Sequence, residues 1–192
     1  MAGEPSNRCI VILGTGGHAQ ALKDHLVPVD ALVRATDRDD DVLTGEEVMI
    51  GLGNIADRRR LFALHREKIR WAGRQIMKGA IVYDSAELGE NVLINTGAQI
   101  DHDCIVGDHC VVGPGAILCG GVRLGEACGI GAGAVILQGV SLDEGTMVPA
   151  GSLVCGPDDF RKPVRMVRRD GADLVDVDAV GWTSVGSRRI VG

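Results

Sequence analysis

Residues 94–118 read INTGAQIDHDCIVGDHCVVGPGAIL, and every sixth residue of that stretch is a branched aliphatic: Ile94, Ile100, Val106, Val112 and Leu118. The same step reaches back through Leu88 and Val82 to Ile76. It runs forward through Leu124, Ile130, Ile136, Leu142 and Val148 to Val154, fourteen positions in all. A period of six fits neither the 3.6-residue turn of an amphipathic helix nor the plain alternation of a flat strand. Two residues ahead of the branched position the side chain is small through the centre: Ala98, Cys104, Cys110, Ala116, Val122, Cys128, Ala134 and Val140. Glycine often follows it, at Gly89, Gly107, Gly113, Gly125 and Gly131. A short strand with one inward branched residue, then a tight turn with a small inward residue, accounts for all three columns. The pattern predicts a parallel β-helix of hexapeptide repeats. With three strands to a coil, the prism has nearly five coils and a length of roughly 20–25 Å at ordinary strand spacing. A β-sandwich that matched this pattern by coincidence would have to hold the register for thirteen steps.

Composition agrees with a regular scaffold. Of 192 residues, 45% are hydrophobic but only 3% aromatic, and 28 are glycine. A core of small and branched side chains with glycine at its corners has that profile. The 20 basic residues are outnumbered by 26 acidic ones, so nothing draws the chain to nucleic acid or to an anionic membrane surface. Six cysteines (Cys9, Cys104, Cys110, Cys119, Cys128 and Cys155) form no C-x-x-C pair, and are expected as reduced, mostly buried residues. The start, MAGEPSNR, has no apolar signal segment, and no run is long enough to span a bilayer. A cytoplasmic protein is expected.

Before the repeat, Arg8–Leu13 (RCIVIL) is a strand-like run, followed by GTGGH (Gly14–His18) and a helical AQALKDHL. Strand, glycine turn and helix open a Rossmann-like unit, in which backbone N–H groups meet an anion at the helix N-terminus. Such a turn either binds a phosphate or simply turns. A second strand over Ala31–Ala35 leads to TDRDDD, where Asp37 stands where a ribose or base is recognised; composition alone favours a solvated acidic turn. Then MIG precedes Gly53-Asn54 and a helix starting near Ala56. Three strands and two helices fit this segment, a reduced unit with Arg58, Arg59 and Arg60 on a solvated helix face and Arg70–Met77 feeding into the prism. The expected organisation is 1–72 Rossmann-like, 73–157 β-helix and 158–192 a C-terminal cap, with Trp182 as its packing anchor.

GTGGH, an acidic residue after the second strand, GLGN before a basic helix, and then NTG-(x)4-DHD-C-(x)2-G resemble the bacterial sialic-acid O-acetyltransferase and nucleotide-amino-sugar N-acetyltransferase family of hexapeptide-repeat acyltransferases. The likeness is strongest from Leu88 to Gly156. It implies a mainly β fold, a left-handed parallel β-helix preceded by a small Rossmann-like α/β domain, and a homotrimer of prisms. It implies acetyl-CoA as donor, no metal, and a nucleotide-linked amino sugar as acceptor in surface-glycan biosynthesis. A sialic-acid-type O-acetyltransferase and a non-catalytic or degenerate hexapeptide-repeat protein are the alternatives. A zinc site of the kind found in the carbonic anhydrases of this fold needs three histidines, and only His102 and His109 lie in the repeat.

The chemistry asks for a base, because an amine attacking a thioester sheds a proton on becoming an amide. Imidazole is largely neutral near pH 7 and suits that task. By spacing alone, His102 is either such a base or a polar residue on a turn, and strand alternation points Asp101 and Asp103 away from it unless a corner intervenes. The resemblance implies His102 as general base with Asp103 as its partner. It implies acceptor contacts at Gly14, Gly16, Gly17, His18, Asp37, Asn54 and Asn95. Main-chain N–H groups near the turn after Ala116 are expected to hold the oxyanion. Coenzyme A is expected against the glycine-rich backbone of the later coils, at Gly120, Gly121, Gly131, Ala132, Gly133 and Gly139, with Arg161 and Lys162 toward its phosphates. Where family members often place a second histidine, this chain has Val111; His109 is two residues early.

Overall fold

A computed structural model describes residues 8–26, 31–38, 45–71, 74–156 and 159–161. The chain divides into two compact units, Met1–Lys78 and Gly79–Gly192.

The first unit runs β1 (Arg8–Leu13), α1 (Gly17–Leu26), β2 (Ala31–Thr36), β3 (Glu47–Ile50), α2 (Ile55–His65) and β4 (Arg70–Trp71), with β5 (Gln75–Ile76) at its end. Its sheet has the order β2-β1-β3-β4, and every pairing is parallel. A parallel sheet is covered on both faces, which is why Ile10, Val11, Ile12 and Leu13 of the central strand are all buried without alternation. One cluster joins Val11, Leu13, Val48 and Ile50 to Leu61 and Phe62 of α2. There are four strands, not three: Arg70–Trp71 pairs with β3, Arg70 beside Glu47, before the chain reaches the repeat. Two residues are too few to show any periodicity.

Arg58 is the larger correction. It is fully buried, on the α2 face that also buries Leu61, Phe62 and His65. Its Nη1 donates to Ile50 O at 2.9 Å, Leu52 O at 3.0 Å and Gln75 Oε1 at 2.9 Å. Burial pushes the guanidinium down to about 10, so it keeps its charge at neutral pH. Arg60 is exposed, as expected of a solvated face, and Arg59 is half-buried. A buried arginine whose donors meet carbonyls ties the end of β3 to β5, and it disguised the apolar stripe of the helix.

In the second unit the repeat gives a strand at every step: β6 (Ile81–Val82), β7 (Glu87–Leu88), β8 (Leu93–Ile94), β9 (Gln99–Ile100), β10 (Ile105–Val106), β11 (Val111–Val112), β12 (Ile117–Leu118), β13 (Arg123–Leu124), β14 (Gly129–Ile130), β15 (Val135–Ile136), β16 (Ser141–Leu142), β17 (Met147–Val148) and β18 (Leu153–Gly156). Each strand pairs in parallel with the strand one coil on, as Ile105 with Arg123, Val111 with Gly129 and Ile117 with Val135. The faces are thus β16-β13-β10-β7, β17-β14-β11-β8 and β18-β15-β12-β9-β6. This is the parallel β-helix that the six-residue period requires. Ile100, Val112, Leu118 and Ile136 fill its axis, and the small column of Ala98, Cys104, Cys110, Ala116, Cys128 and Ala134 is equally buried. Buried thiols donate to carbonyls of the next coil: Cys104 to Cys119 O at 3.2 Å, Cys110 to Gly125 O at 3.1 Å and Cys128 to Asp143 O at 3.1 Å. The prism closes on β19 (Asp159–Arg161), antiparallel to β18. Lys162 and the rest of the expected cap, Trp182 included, lie outside the described residues.

The glycines follow two separate rules. Those directly after the branched residue are set by coil spacing. A Cβ on Gly125 would lie 2.5 Å from Glu144 N, and one on Gly131 would lie 2.3 Å from Ala150 N. A second column, three residues after the branched position, takes the left-handed conformation, as at Gly115 (φ +65°), Gly121 (φ +72°) and Gly133 (φ +66°). Four residues other than glycine share it: Asn91, Asp103, His109 and Ala127.

Candidate active site

His102 follows β9 at the corner that leads into β10, and the corner brings its neighbours to it. Its backbone N–H donates to Asp101 Oδ1 at 2.9 Å. Asp103 adopts φ +59°, which turns its side chain back against the strand alternation, and its Oδ2 accepts from His102 Nδ1 at 2.9 Å. Asp tolerates this region better than most residues, although it remains a strained one. The Nδ1 proton is therefore held and Nε2 is left to act as base. The His102 pKa is raised, first by the Asp103 hydrogen bond and further by the charges of Asp101 and Asp103. That of Asp103 is lowered, first by the same bond. The imidazole side chain is half-exposed, so the pair is open to a substrate.

The ring rests on the following coil. A Cβ on Gly120 would lie 2.6 Å from both Cε1 and Nε2 of His102, so any larger residue there displaces the ring. This gives Gly120, expected in the coenzyme site, a visible role as the floor beneath the base. It went unseen in the sequence because it stands 18 residues from His102, one coil away. Gly121, Gly133 and Gly139 are left-handed corner residues, and Gly131 is fixed by coil spacing. Ala132 is exposed, and its carbonyl accepts the Gly151 N–H at 2.8 Å. Asn95 stands at the preceding corner of the same coil, with Oδ1 accepting from Thr96 N at 2.8 Å.

Val111 is buried in β11. His109 occupies the corner after β10, left-handed at φ +62°, with Asn91 Nδ2 2.9 Å from its Nδ1. It belongs to a different corner from His102.

In the first unit the glycine turn and the end of β2 meet: Thr15 Oγ1 donates to Asp37 Oδ2. Gly14, at φ +120°, donates to Thr36 O at 2.8 Å, and a Cβ there would press on Gly51 O at 2.9 Å. At Gly16, Gly17 and Gly53 a Cβ would meet nothing within 4 Å, so packing does not demand those glycines and the backbone is open to a ligand. His18 Nε2 is buried with no hydrogen-bond partner, and burial, then the charge of Arg58, lowers its pKa. Asn54 caps α2, its Oδ1 accepting from Asp57 N at 3.1 Å. Among the described residues no three His, Cys, Asp or Glu side chains converge as a metal site, and no helix is long and apolar enough to cross a membrane.

Residues 85–120 match the model of the bacterial transferase hexapeptide (six repeats). No curated protein matches the chain significantly. Among solved structures, the chain is similar to perosamine N-acetyltransferase from Caulobacter crescentus, determined with CoA and GDP-perosamine. The two are 26% identical with a TM-score of 0.63, over 79% of this chain and 90% of that one. The acetyltransferase domain of PglB from Neisseria gonorrhoeae FA1090 shares the fold, with a TM-score of 0.68 at 21% identity, over 82% of this chain and 94% of that domain. The matched segment spans the His102 corner, and over those residues the chain is similar to the bacterial transferase hexapeptide, in keeping with its unbroken six-residue period.

Proposed function

We propose that the protein is an acetyl-CoA-dependent N-acetyltransferase acting on the amino group of a nucleotide-linked amino sugar, in bacterial surface-glycan biosynthesis in the cytoplasm. The observation that carries this reading is the half-exposed His102 with Nδ1 fixed by Asp103 at 2.9 Å, in a chain similar over most of its length to an enzyme of that chemistry. The amine nitrogen attacks the thioester carbonyl carbon, and His102 Nε2 takes the proton that the nitrogen sheds. The C–S bond then breaks, and the proton passes from His102 to the departing thiolate, leaving an amide and coenzyme A. A positioned base of this kind supplies roughly 10²–10⁴-fold. The N–H groups of Ile117 and Cys119 are engaged by Ala134 O and Ile136 O on the next coil. That of Gly120 has no backbone acceptor among the described residues, which makes it the candidate oxyanion donor beside the base.

Acceptor contacts are assigned within the first unit to Gly14, Gly16, Gly17, His18, Asp37 and Asn54, the glycine turn taking a nucleotide, and within the second unit to Asn95. The acetyl donor is assigned to the later coils, at Gly121, Gly131–Gly133 and Gly139, with Arg161 and Lys162 beyond them. A homotrimer is proposed on the face β18-β15-β12-β9-β6. Its outward side chains include Ile81, Ile117, Val135 and Leu153, with Tyr83 and Leu137 at the adjoining corner, and Ile81 is 55% and Tyr83 48% exposed. An apolar stripe of this kind marks an interaction surface. Sedimentation at a mass three times the chain's supports the trimer, and a monomer rejects it.

The assignment is tested by following coenzyme A release with a thiol reagent. Acetyl-CoA is supplied with a panel of GDP- and UDP-linked amino sugars, GDP-perosamine among them. Turnover of one amine is expected; silence across the panel overturns the N-acetyltransferase reading.

A further inference from the structure

The corner that carries His102 departs from the hydrogen-bonding pattern of the later corners. From His109 onward the left-handed residue donates its N–H to a carbonyl on the preceding coil, a bond that Gly97 does not make among the described residues. His109 donates to Glu90 O at 2.8 Å, Gly121 to His102 O at 2.9 Å and Ala127 to Asp108 O at 2.8 Å, and the link recurs as far as Gly151 and Ala132 O at 2.8 Å. Asp103 is left-handed like them, and that pattern gives its N–H to Asp84 O. It donates instead to the side chain of the next residue, Ser85 Oγ, at 3.1 Å. A hydroxyl has replaced a carbonyl at the one corner where the left-handed residue holds the ring of the base.

We propose that Ser85 is a positioning residue for the His102–Asp103 pair, its hydroxyl fixing the Asp103 backbone in the conformation from which the carboxylate reaches His102 Nδ1. The inference rests on the assignment of His102 as base. The substitution has a chemical consequence that a carbonyl lacks. A carbonyl only accepts, whereas a hydroxyl that accepts the Asp103 N–H still has its own proton to donate. Donated to the Asp103 carboxylate, that proton favours the charged form, and the hydrogen bond with Ser85 acts in that direction on Asp103. A charged, fixed carboxylate holds the Nδ1 proton and keeps Nε2 free. Gly120 limits the ring from the following coil while Ser85 limits Asp103 from the preceding one, so three successive coils define one imidazole. Asp101, on the same corner, adds its charge, and Cys119 on the following coil is a thiol whose pKa burial and Asp101 raise.

The test compares Ser85→Ala and Ser85→Thr with the native full-length chain. Ring titrations by NMR on ¹³C-labelled histidine, with His102 identified by its loss in His102→Gln, report on the pair without requiring turnover. The Ser85→Ala chain is expected to show the His102 pKa moved down toward the ordinary imidazole value, and Ser85→Thr to restore it. In the coenzyme A release assay, with the acceptor of the panel that turns over fastest, kcat is expected to fall about tenfold in Ser85→Ala. That lies below the 10²–10⁴ of the base itself, and KM for acetyl-CoA should stay unchanged. A merely structural serine would lower the melting temperature and leave the titration in place, and that result overturns the proposal. If the native chain turns over nothing, the transferase reading fails while the titration alone still decides the role of Ser85.

Discussion

Two corners of the same solenoid share a backbone and differ in what stands on it. At the corner after β11 and its stacked partners, the left-handed position is glycine in coil after coil, at Gly79, Gly97, Gly115, Gly133 and Gly151. At the corner after β9 and its stacked partners the corresponding residues are Ser85, Asp103, Gly121 and Gly139. The first column obeys the conformational preference of the turn without exception. The second departs from it at Asp103, left-handed without being glycine and bonded to the ring of His102, while Ser85 one coil earlier is not left-handed and accepts the Asp103 N–H. Left-handed backbone at a residue other than glycine is held by its surroundings, and at Asp103 the bonds to His102 and Ser85 hold it.

The largest effect that this contrast predicts is at His102. His102→Ala should reduce coenzyme A release by about 10²–10⁴-fold, with thermal unfolding little changed because the ring is half-exposed and no part of the core. Full activity in that variant would make the second corner as inert as the first. Next comes Gly120→Ala, whose Cβ would stand 2.6 Å from two atoms of the imidazole. The ring must swing off its floor, and a displacement of that size in a positioned base is expected to cost roughly 10- to 100-fold in kcat. Circular dichroism should show the coil intact.

Asp103→Asn follows, expected to lower the plateau rate about tenfold, within the range that a positioned acid–base pair contributes. Asparagine tolerates the left-handed corner as aspartate does, so the backbone is kept and the charge removed. The pH profile carries the sharper signal. A base must be neutral to accept a proton, and the native His102 pKa is raised chiefly by Asp103. Native activity therefore rises with pH through that elevated pKa. In the variant the acid limb of kcat/KM should move to lower pH, and an unmoved limb would remove Asp103 from the mechanism.

How far the sequence revealed all this depends on the range over which a cause acts. The hexad was legible because the inward residue is selected at every step, and so were the paired parallel faces that follow from it. His102 was visible as a residue that the repeat did not need. The left-handed column, three residues after most branched positions, has no such signal, because it holds Asn91, Asp103, His109 and Ala127 as well as glycine. Arg58 reads as a surface residue because a charged side chain holds the place of an aliphatic one on the buried stripe with Leu61, Phe62 and His65. Ser85 and Gly120 gave no local signal. Each sits one coil from its partner, and only the stacking of coils brings them together.

The smallest effect separates the two corners most cleanly. Gly115 has φ +65°, and a Cβ there would meet nothing within 4 Å. Alanine at this position therefore bears a conformational cost and no steric one: about 1–2 kcal/mol for a left-handed L-residue, partly offset by the smaller entropy of the unfolded chain. Gly115→Ala should lower stability by about 1 kcal/mol in a urea titration and leave kcat as it was. Gly120→Ala, one corner further along the chain, should do the reverse. Its backbone is not left-handed, so the added methyl acts on the ring of His102 and not on the turn. Equal losses of activity in the two variants would mean that the coil transmits any disturbance to the base, and the division between a structural corner and a chemical one would not hold.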